Sequence, residues 1–303
     1  MKVFERTLLL LQNLVKNSID KIGLFGLWFV IVGFMLSGCG NKTKTKEASY
    51  LTIKGSDTMV HLASNWAENF MKAHQGIDIS VTGGGSGTGI AALLNGTTNV
   101  CIASRKIKSK ELNLAEEKGI YPKEIVTARD GIAVVVNPEN SVNTLSLEQI
   151  GKIYTGAYTN WKQVGGLDQQ IIVLSRESSS GTFVFFQKRV MNKKDYTQDA
   201  MLMPSTAAII QSVSQDKWAI GYVGLGYATE AKDRVRMLSV RDADSPTIVP
   251  SIAAVQAGEY AIARPLYFYT NGEPIGVVRQ FVNYVLSNEG QKIVLETGYV
   301  PIN

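Results

Sequence analysis

The sequence predicts an α/β fold in which mostly parallel strands are covered by helices on both faces. After residue 49, short apolar runs alternate with amphipathic segments, and this alternation is typical of that architecture. The 303 residues suffice for two modest domains, or for one domain with a leader. Hydrophobic residues make up 45% of the chain and charged residues 19%, which favours a packed core over disorder.

The individual elements follow from apolar runs and helical periodicity. The run at residues 132–136, Ile-Ala-Val-Val-Val, is expected to form a buried parallel strand. Strands are predicted at residues 50–54, 77–82, 100–103, 132–136, 171–174, 219–223 and 266–269. Helices are predicted from residue 59 to 70, from residue 90, and at residues 183–190, 277–286 and 291–295.

Charge and composition exclude several classes of protein. The formal net charge is +5, of which the first 38 residues contribute +2. A surplus of about +3 on the remainder is too small for a nucleic-acid groove but is compatible with an anionic ligand. Two cysteines, Cys39 and Cys101, exclude a disulfide framework. His61 and His74, thirteen residues apart, fit no zinc-ligand spacing, and we expect neither a metal nor a cofactor.

The N-terminal region has the pattern of an export signal. Residues 22–36 are apolar and uncharged and follow a basic stretch; a run of about 15 residues suits a signal peptide better than a spanning helix. The Leu-Ser-Gly-Cys sequence that ends at Cys39 resembles the lipobox of bacterial lipoproteins. The resemblance implies a signal peptide over 1–38, a lipid on Cys39 and a linker over 39–49. An uncleaved anchor is the alternative, and either arrangement places the body outside the cytoplasmic membrane.

Three glycine-, serine- and threonine-rich turns each stand between a predicted strand and a predicted helix. They are Gly-Ser-Asp-Thr at 55–58, Gly-Gly-Gly-Ser-Gly-Thr-Gly at 83–89 and Ser-Ser-Ser-Gly-Thr at 178–182, with Arg176 upstream of the third. The first turn of a helix has unpaired N–H groups and a partial positive charge, and glycine lets an anion approach them. Converging turns of this kind, with one arginine fork, predict an oxyanion site, although each turn alone could be an ordinary helix cap.

Motifs of other functions fit these turns poorly. A Walker A loop needs a lysine that none of the turns contains, and export argues against the relaxed dinucleotide pattern at 87–92. The nucleophile elbow fails because Thr88 stands where its second glycine should be. A serine hydrolase would need His61 or His74 as its base. We therefore expect a binding protein and not an enzyme.

With these motifs identified, the body from residue 50 onward resembles the substrate-binding lipoproteins of the high-affinity phosphate ABC importer, which are type II periplasmic binding proteins. The resemblance is carried by the segments 54–58, 83–89, 130–137, 153–161, 176–182 and 219–222, and Arg-x-x-x-Ser-Gly-Thr is the most specific pattern among them. It implies two lobes, residues 50–130 with 264–303 and residues 131–263, with a ligand cleft between them. It also implies delivery of phosphate to the membrane permease of an ABC transporter by a protein that we expect to be a monomer.

The same resemblance places the ligand contacts. Hydroxyl and backbone donors would come from the three turns, and Arg176 would supply the charged fork. The predicted phosphate-binding residues are Ser56, Asp57, Thr58, Ser86, Gly87, Ser104, Arg105, Arg176, Ser180, Gly181 and Thr182.

One departure from the family pattern concerns selectivity. Well-known members carry an aspartate after an Ala-Ser pair, where it accepts the proton of monohydrogen phosphate and repels sulfate, whereas this chain has Arg105 there. Asp57 is our candidate replacement acceptor, with Asp130 behind it; alternatively, Asp57 caps the helix that follows it. Arg105 either contacts the anion or pairs with a surface carboxylate.

Three other functions remain open at this point. The departure at Arg105 motivates another oxyanion as cargo, either sulfate or molybdate. A surface sensor or adhesin that keeps the cleft as a scaffold would not depend on Arg176. An exported phosphatase-like hydrolase would turn over phosphate esters.

Overall fold

The computed structural model describes residues 49–302, which contain twelve strands and ten α-helices. The predicted signal peptide, Cys39 and nearly all of the predicted linker lie outside the described residues. The strands are β1 Ser49–Gly55, β2 Ile77–Thr82, β3 Val100–Ala103, β4 Pro122–Val136, β5 Thr144–Ser146, β6 Ile172–Arg176, β7 Met201–Met203, β8 Ala219–Gly224, β9 Arg236–Met237, β10 Ser239–Arg241, β11 Thr247–Ile248 and β12 Ala263–Asn271.

The five predicted helices are present among the ten of residues 49–302, and two of them begin closer to their glycine-rich turns than predicted. The second helix, expected from residue 90, already begins at residue 86, directly at its turn. The α-helices are α1 Val60–Ala73, α2 Ser86–Leu94, α3 Ser109–Glu117, α4 Leu147–Tyr154, α5 Gly181–Arg189, α6 Thr206–Gln215, α7 Leu225–Glu230, α8 Ile252–Gln256, α9 Gly276–Leu286 and α10 Asn288–Glu296, and short 3₁₀ helices span Asp57–Met59 and Trp161–Val164.

All seven predicted strands are present, but the sheet is mixed rather than mostly parallel. Within the described residues its order is β2-β1-β3-β12-β4-β8-β6-β7. Strand β1 pairs parallel with β2 and β3, and β6 pairs parallel with β7 and β8. The run at 132–136 belongs to β4, which pairs antiparallel with β12 and β8, so the prediction of a parallel strand was wrong.

The error has a physical cause. A continuous apolar run requires burial on both faces of the sheet, and parallel pairing is only one way of reaching it. Here Ile132, Val134 and Val136 enter one hydrophobic cluster, while Ala133 and Val135 enter another. Alternate residues of one antiparallel strand therefore fill two different cores.

Two lobes share this sheet, and β4 and β12 run between them. One pair of hydrophobic clusters draws its residues from segments 51–128 and 266–299. The other pair draws on residues 132–262, together with Val300. Strand β4 pairs with β12 through Gly131 and with β8 from Ile132 onward, so the change of partner falls where the cores separate.

Membrane spans were sought among residues 49–302. No helix in this part of the chain combines the length and the apolar character that crossing a bilayer requires.

Candidate anion-binding site

The three predicted turns all lie where a strand is followed by a helix, and two of them need glycine for steric reasons. Gly55 ends β1 with φ 145°, and a Cβ there would lie 2.0 Å from the carbonyl oxygen of Ile102. Gly85 precedes α2 with φ 121°, and a Cβ there would lie 2.7 Å from the carbonyl oxygen of Ser179. The first contact draws β1 against β3, and the second lets the two lobes touch.

Hydroxyl groups from these turns and from Ser104, which follows β3, meet in a buried cluster between the lobes. Ser56 Oγ donates to Ser104 Oγ at 2.9 Å, and Ser86 Oγ lies 3.3 Å from Ser104 Oγ. Thr58 Oγ1 of one lobe lies 2.9 Å from Thr182 Oγ1 of the other. All five side chains are at most 2% exposed. Because hydroxyls both donate and accept, this hydroxyl cluster (Ser56, Thr58, Ser86, Ser104 and Thr182) can surround an oxyanion without a counter-charge.

Gly181 is packed directly against the hydroxyl cluster from the other lobe. A Cβ at this position would lie 2.2 Å from Ser86 Oγ and 2.6 Å from Ser104 Oγ. Ser180 precedes it as the N-cap of α5, and its Oγ accepts from the backbone N–H of Thr182 at 3.1 Å. The Ser-Gly-Thr sequence therefore caps its helix and also brings the helix N-terminus to the cluster.

The 83–89 loop closes against the turn before α5. The Gly87 N–H donates to the carbonyl oxygen of Ser179 at 2.9 Å, and Ser179 Oγ donates to the carbonyl oxygen of Gly84 at 3.3 Å. Gly87 thus lies beside the cluster, although its own N–H bonds to the other lobe.

Arg176 joins the lobes through Asp57. Its Nη1 donates to Asp57 Oδ2 and to Thr206 Oγ1, both at 3.0 Å. Its Nη2 donates to the Pro204 carbonyl at 2.9 Å and its Nε to the Met203 carbonyl at 3.3 Å. The guanidinium is therefore held by the protein, and among residues 49–302 its hydrogen bonds go to these groups and not to the hydroxyl cluster.

Asp57 caps a helix, but not the one expected. The 3₁₀ helix that it begins has no side-chain cap. Instead, Asp57 Oδ2 accepts from the backbone N–H and the Oγ1 of Thr206, both at 2.8 Å, and Thr206 opens α6 in the other lobe. The carboxylate therefore meets both an arginine and the positive end of a helix dipole across the cleft.

Arg105 pairs within its own lobe. Its Nη1 and Nη2 donate to the two carboxylate oxygens of Glu111, each at 2.8 Å. Burial opposes ionisation of Glu111, but the N–H groups of Arg105 and the backbone N–H of Lys108 hold its pKa below the ordinary value. A Cβ at Gly87 would lie 3.6 Å from Arg105 Nη2, so the arginine borders the site. Glu111 is only 18% exposed, so it is not the surface partner envisaged from the sequence.

Arg264 also belongs to the site, although the sequence analysis did not identify it as a site residue. From β12, its Nη2 donates to Asp130 Oδ2 and to Thr182 Oγ1, and its Nη1 donates to the Ser104 carbonyl, all at 3.0 Å. Burial raises the pKa of Asp130 against the opposing charge of Arg264, and Asp130 also accepts from the N–H of Leu225 at 3.3 Å. One arginine at the start of an apolar strand gave no local signal, since its partners come from three distant segments.

The fold and the site together define a protein class: a two-lobed binding protein that holds a small polar solute between its lobes. Comparisons with known proteins agree with this class and narrow it. Residues 40–289 match a family model described as a PBP superfamily domain. The phosphate-binding protein PstS of Staphylococcus haemolyticus is 34% identical over 253 residues, which cover 82% of this chain and 79% of that protein. The chain therefore belongs to the PstS family of phosphate-binding proteins within the PBP superfamily.

Among solved structures, the chain is likewise similar to phosphate-binding proteins of ABC transporters. A Clostridium perfringens protein, described as a phosphate ABC transporter substrate-binding protein with bound phosphate, aligns with a TM-score of 0.75 and 30% identity. That alignment covers 84% of this chain and 100% of the other. An ABC-type phosphate transport receptor from Vibrio cholerae aligns with a TM-score of 0.66 and 28% identity, over 82% of this chain and 99% of the receptor.

Proposed function

We propose that this protein binds inorganic phosphate between its lobes and delivers it to the membrane permease of an ABC transporter. The observation that carries the proposal is the 2.9 Å approach of Thr58 Oγ1 to Thr182 Oγ1, because it brings donors of both lobes into one buried cluster. The family relationship supports phosphate as the ligand, since a relative from Clostridium perfringens has phosphate bound.

The proposed ligand contacts are the eleven residues named from the sequence, with Arg264 added. Hydroxyls of the hydroxyl cluster and N–H groups of the α2 and α5 helix starts would donate to the phosphate oxygens. Arg176 and Arg264 would donate hydrogen bonds, but a carboxylate, Asp57 or Asp130, already offsets the charge of each. Recognition would therefore rest mainly on oriented dipoles, with no net charge from these two pairs.

Closure of the lobes would couple binding to transport. We place the lobe boundary at residues 130–131 on β4 and 263–264 on β12, where the two cores separate. A phosphate held by donors from both lobes favours the closed state by the difference in its affinity for the two states. The closed state would be the form that the permease recognises.

The remaining features of the proposal concern location and chemistry. Export and a lipid on Cys39 would place the body on the outer side of the cytoplasmic membrane, where several acyl chains suffice for stable attachment. The protein would act as a monomer and carry out no covalent step. Mass spectrometry of membrane-extracted protein tests the lipid, and size-exclusion chromatography tests the monomer.

Calorimetric titration tests the ligand. The purified protein, dialysed free of anion, would be titrated separately with phosphate, sulfate and molybdate near neutral pH. Saturable phosphate binding at micromolar or lower Kd, about −8 kcal/mol or stronger, with no heat from sulfate, is the expected result. Tight sulfate or molybdate binding would reassign the cargo. The absence of binding by all three would contradict an oxyanion function and favour a sensor or adhesin.

A further inference from the structure

A second group of basic residues lies beside the hydroxyl cluster, in a pocket of about 530 Å³ that residues of both lobes line. Its wall comes from the segment after β3, from α5 and from the start of β12. Five of its lining side chains are cationic, and we call them the basic vestibule: Arg105, Lys106, Lys108, Lys188 and Arg264.

The basic vestibule is continuous with the proposed phosphate site. Ser104 and Arg264 line the pocket and also belong to the network of the cluster. Ser104 Oγ accepts from Ser56 Oγ, and Arg264 Nη2 donates to Thr182 Oγ1. The pocket therefore borders the hydroxyl cluster at Ser104 and Arg264, and an anion in the pocket would lie directly beside the proposed binding site.

Carboxylates neutralise only part of this charge. Arg105 pairs with Glu111, Lys106 with Glu124 and Arg264 with Asp130. The other two cations, Lys108 and Lys188, form no ion pair with a carboxylate in residues 49–302. The pocket therefore has two more cations than paired carboxylates, one on each lobe.

Lys108 is in an unfavourable position for a cation. It is half-buried, and burial together with the charge of Arg105 lowers the pKa of its ammonium group. The carboxylate of Glu111, three residues further along, already accepts from both Nη atoms of Arg105 and from the backbone N–H of Lys108. A transient anion would relieve this repulsion, whereas a cationic or neutral solute would not.

We propose that the basic vestibule is a second, low-affinity anion site that collects phosphate from solution and passes it to the cleft. The inference rests on the proposed function, because the cleft must bind phosphate for its delivery to matter. Concave surfaces with one sign of charge focus the electric field and raise association rates by about 10- to 1,000-fold, an effect that salt removes. When the lobes separate, Lys108 on one lobe and Lys188 on the other would flank the entrance.

The test compares two double variants of the full protein that remove the same charge. K108Q/K188Q neutralises the unpaired vestibule lysines, and K72Q/K232Q neutralises two exposed lysines that lie outside the pocket, one in each lobe. Calorimetry gives the Kd for inorganic phosphate, exchange of radiolabelled phosphate gives the dissociation rate constant, and their ratio gives the association rate constant.

We expect K108Q/K188Q to lower the association rate constant about tenfold at about 20 mM ionic strength and less than about twofold at about 0.5 M. The dissociation rate constant should stay within about twofold of the unaltered protein, and K72Q/K232Q should change neither rate by more than about twofold.

Either of two results would contradict the proposed role of the basic vestibule and leave the proposed function standing. One is an equal association rate constant for both double variants. The other is a slower association by K108Q/K188Q that persists at high salt, together with faster dissociation. Absence of phosphate binding by the unaltered protein would overturn both proposals. Charge reversal by K108E/K188E should slow association further than K108Q/K188Q, and failure to do so would also contradict steering.

Discussion

Three arginine–carboxylate pairs surround the hydroxyl cluster, and two of them, Arg176–Asp57 and Arg105–Glu111, differ in what they connect. Arg176 and Asp57 stand 119 residues apart and belong to different lobes, whereas Arg105 and Glu111 stand six residues apart in one lobe. The first pair exists only while the lobes are together, and the second survives their separation. The Arg176–Asp57 pair therefore stabilises the closed arrangement of the lobes, whereas the Arg105–Glu111 pair stabilises one lobe. Substitutions should separate these two roles.

Replacement of Arg176 should have the largest effect on binding. Arg176→Ala leaves Asp57 without its arginine, and breaking a buried pair in this way costs about 3–5 kcal/mol, so we expect phosphate affinity to fall on the order of 100-fold or more. Titration calorimetry measures the loss. Arg189→Ala, which breaks the half-exposed surface pair with Asp242, is the control and should leave affinity unchanged.

A side chain at Gly181 should obstruct closure without removing a polar contact. Gly181→Ala would place a Cβ 2.2 Å from Ser86 Oγ, so the lobes must move apart. We expect affinity to fall about 30-fold, or about 2 kcal/mol, with the melting temperature of the anion-free protein unchanged. Small-angle scattering with saturating phosphate should show a larger radius of gyration than that of the unaltered protein, and equal radii would contradict this account of Gly181.

Asp57→Asn tests whether the inter-lobe carboxylate also accepts a hydrogen bond from the proton of monohydrogen phosphate. Asparagine keeps an acceptor for Thr206 but loses the charge opposite Arg176, so phosphate affinity should fall about tenfold, roughly 1.4 kcal/mol. If Asp57 accepts the ligand proton, sulfate binding should appear in this variant. Continued rejection of sulfate would leave Asp130 as the acceptor to test.

Glu111→Gln should have the smallest effect on binding, because its pair with Arg105 lies within one lobe. We expect phosphate affinity to stay within about twofold, while the free energy of unfolding falls by about 1–3 kcal/mol through loss of a charged hydrogen-bond partner. A large loss of affinity would show that Arg105 must be held by Glu111 in order to bind the anion.

The pH dependence of stability offers a sharper measurement on the same pair. Hydrogen bonds from Arg105 and Lys108 hold the pKa of folded Glu111 below its ordinary value despite burial. The stabilisation is therefore fully present above about pH 4.3, the value for an unfolded glutamate, and is lost as pH falls through the lower folded pKa. Denaturant unfolding between about pH 6 and pH 3 should show the difference between the unaltered protein and Glu111→Gln shrinking over that range.

The sequence by itself determined about half of the strands and helices and most of the residues of the site. Apolar runs and periodicity located seven of the twelve strands and five of the ten α-helices in residues 49–302, and the glycine-rich turns marked the starts of α2 and α5, because caps and apolar patterns are local properties of a chain. The same turns supplied all the members of the hydroxyl cluster except Ser104, which was named from the family resemblance.

Only the tertiary structure decided which group each charged residue meets. Asp57 caps α6 rather than its own helix, Arg105 meets Glu111, and Arg264 joins Asp130 to Thr182 across separations of 134 and 82 residues. The direction of β4 was likewise undetermined, since burial on both faces gives the same apolar run in either orientation. These outcomes depend on which distant segments the folded sheet brings together, and no local pattern of residues records that choice.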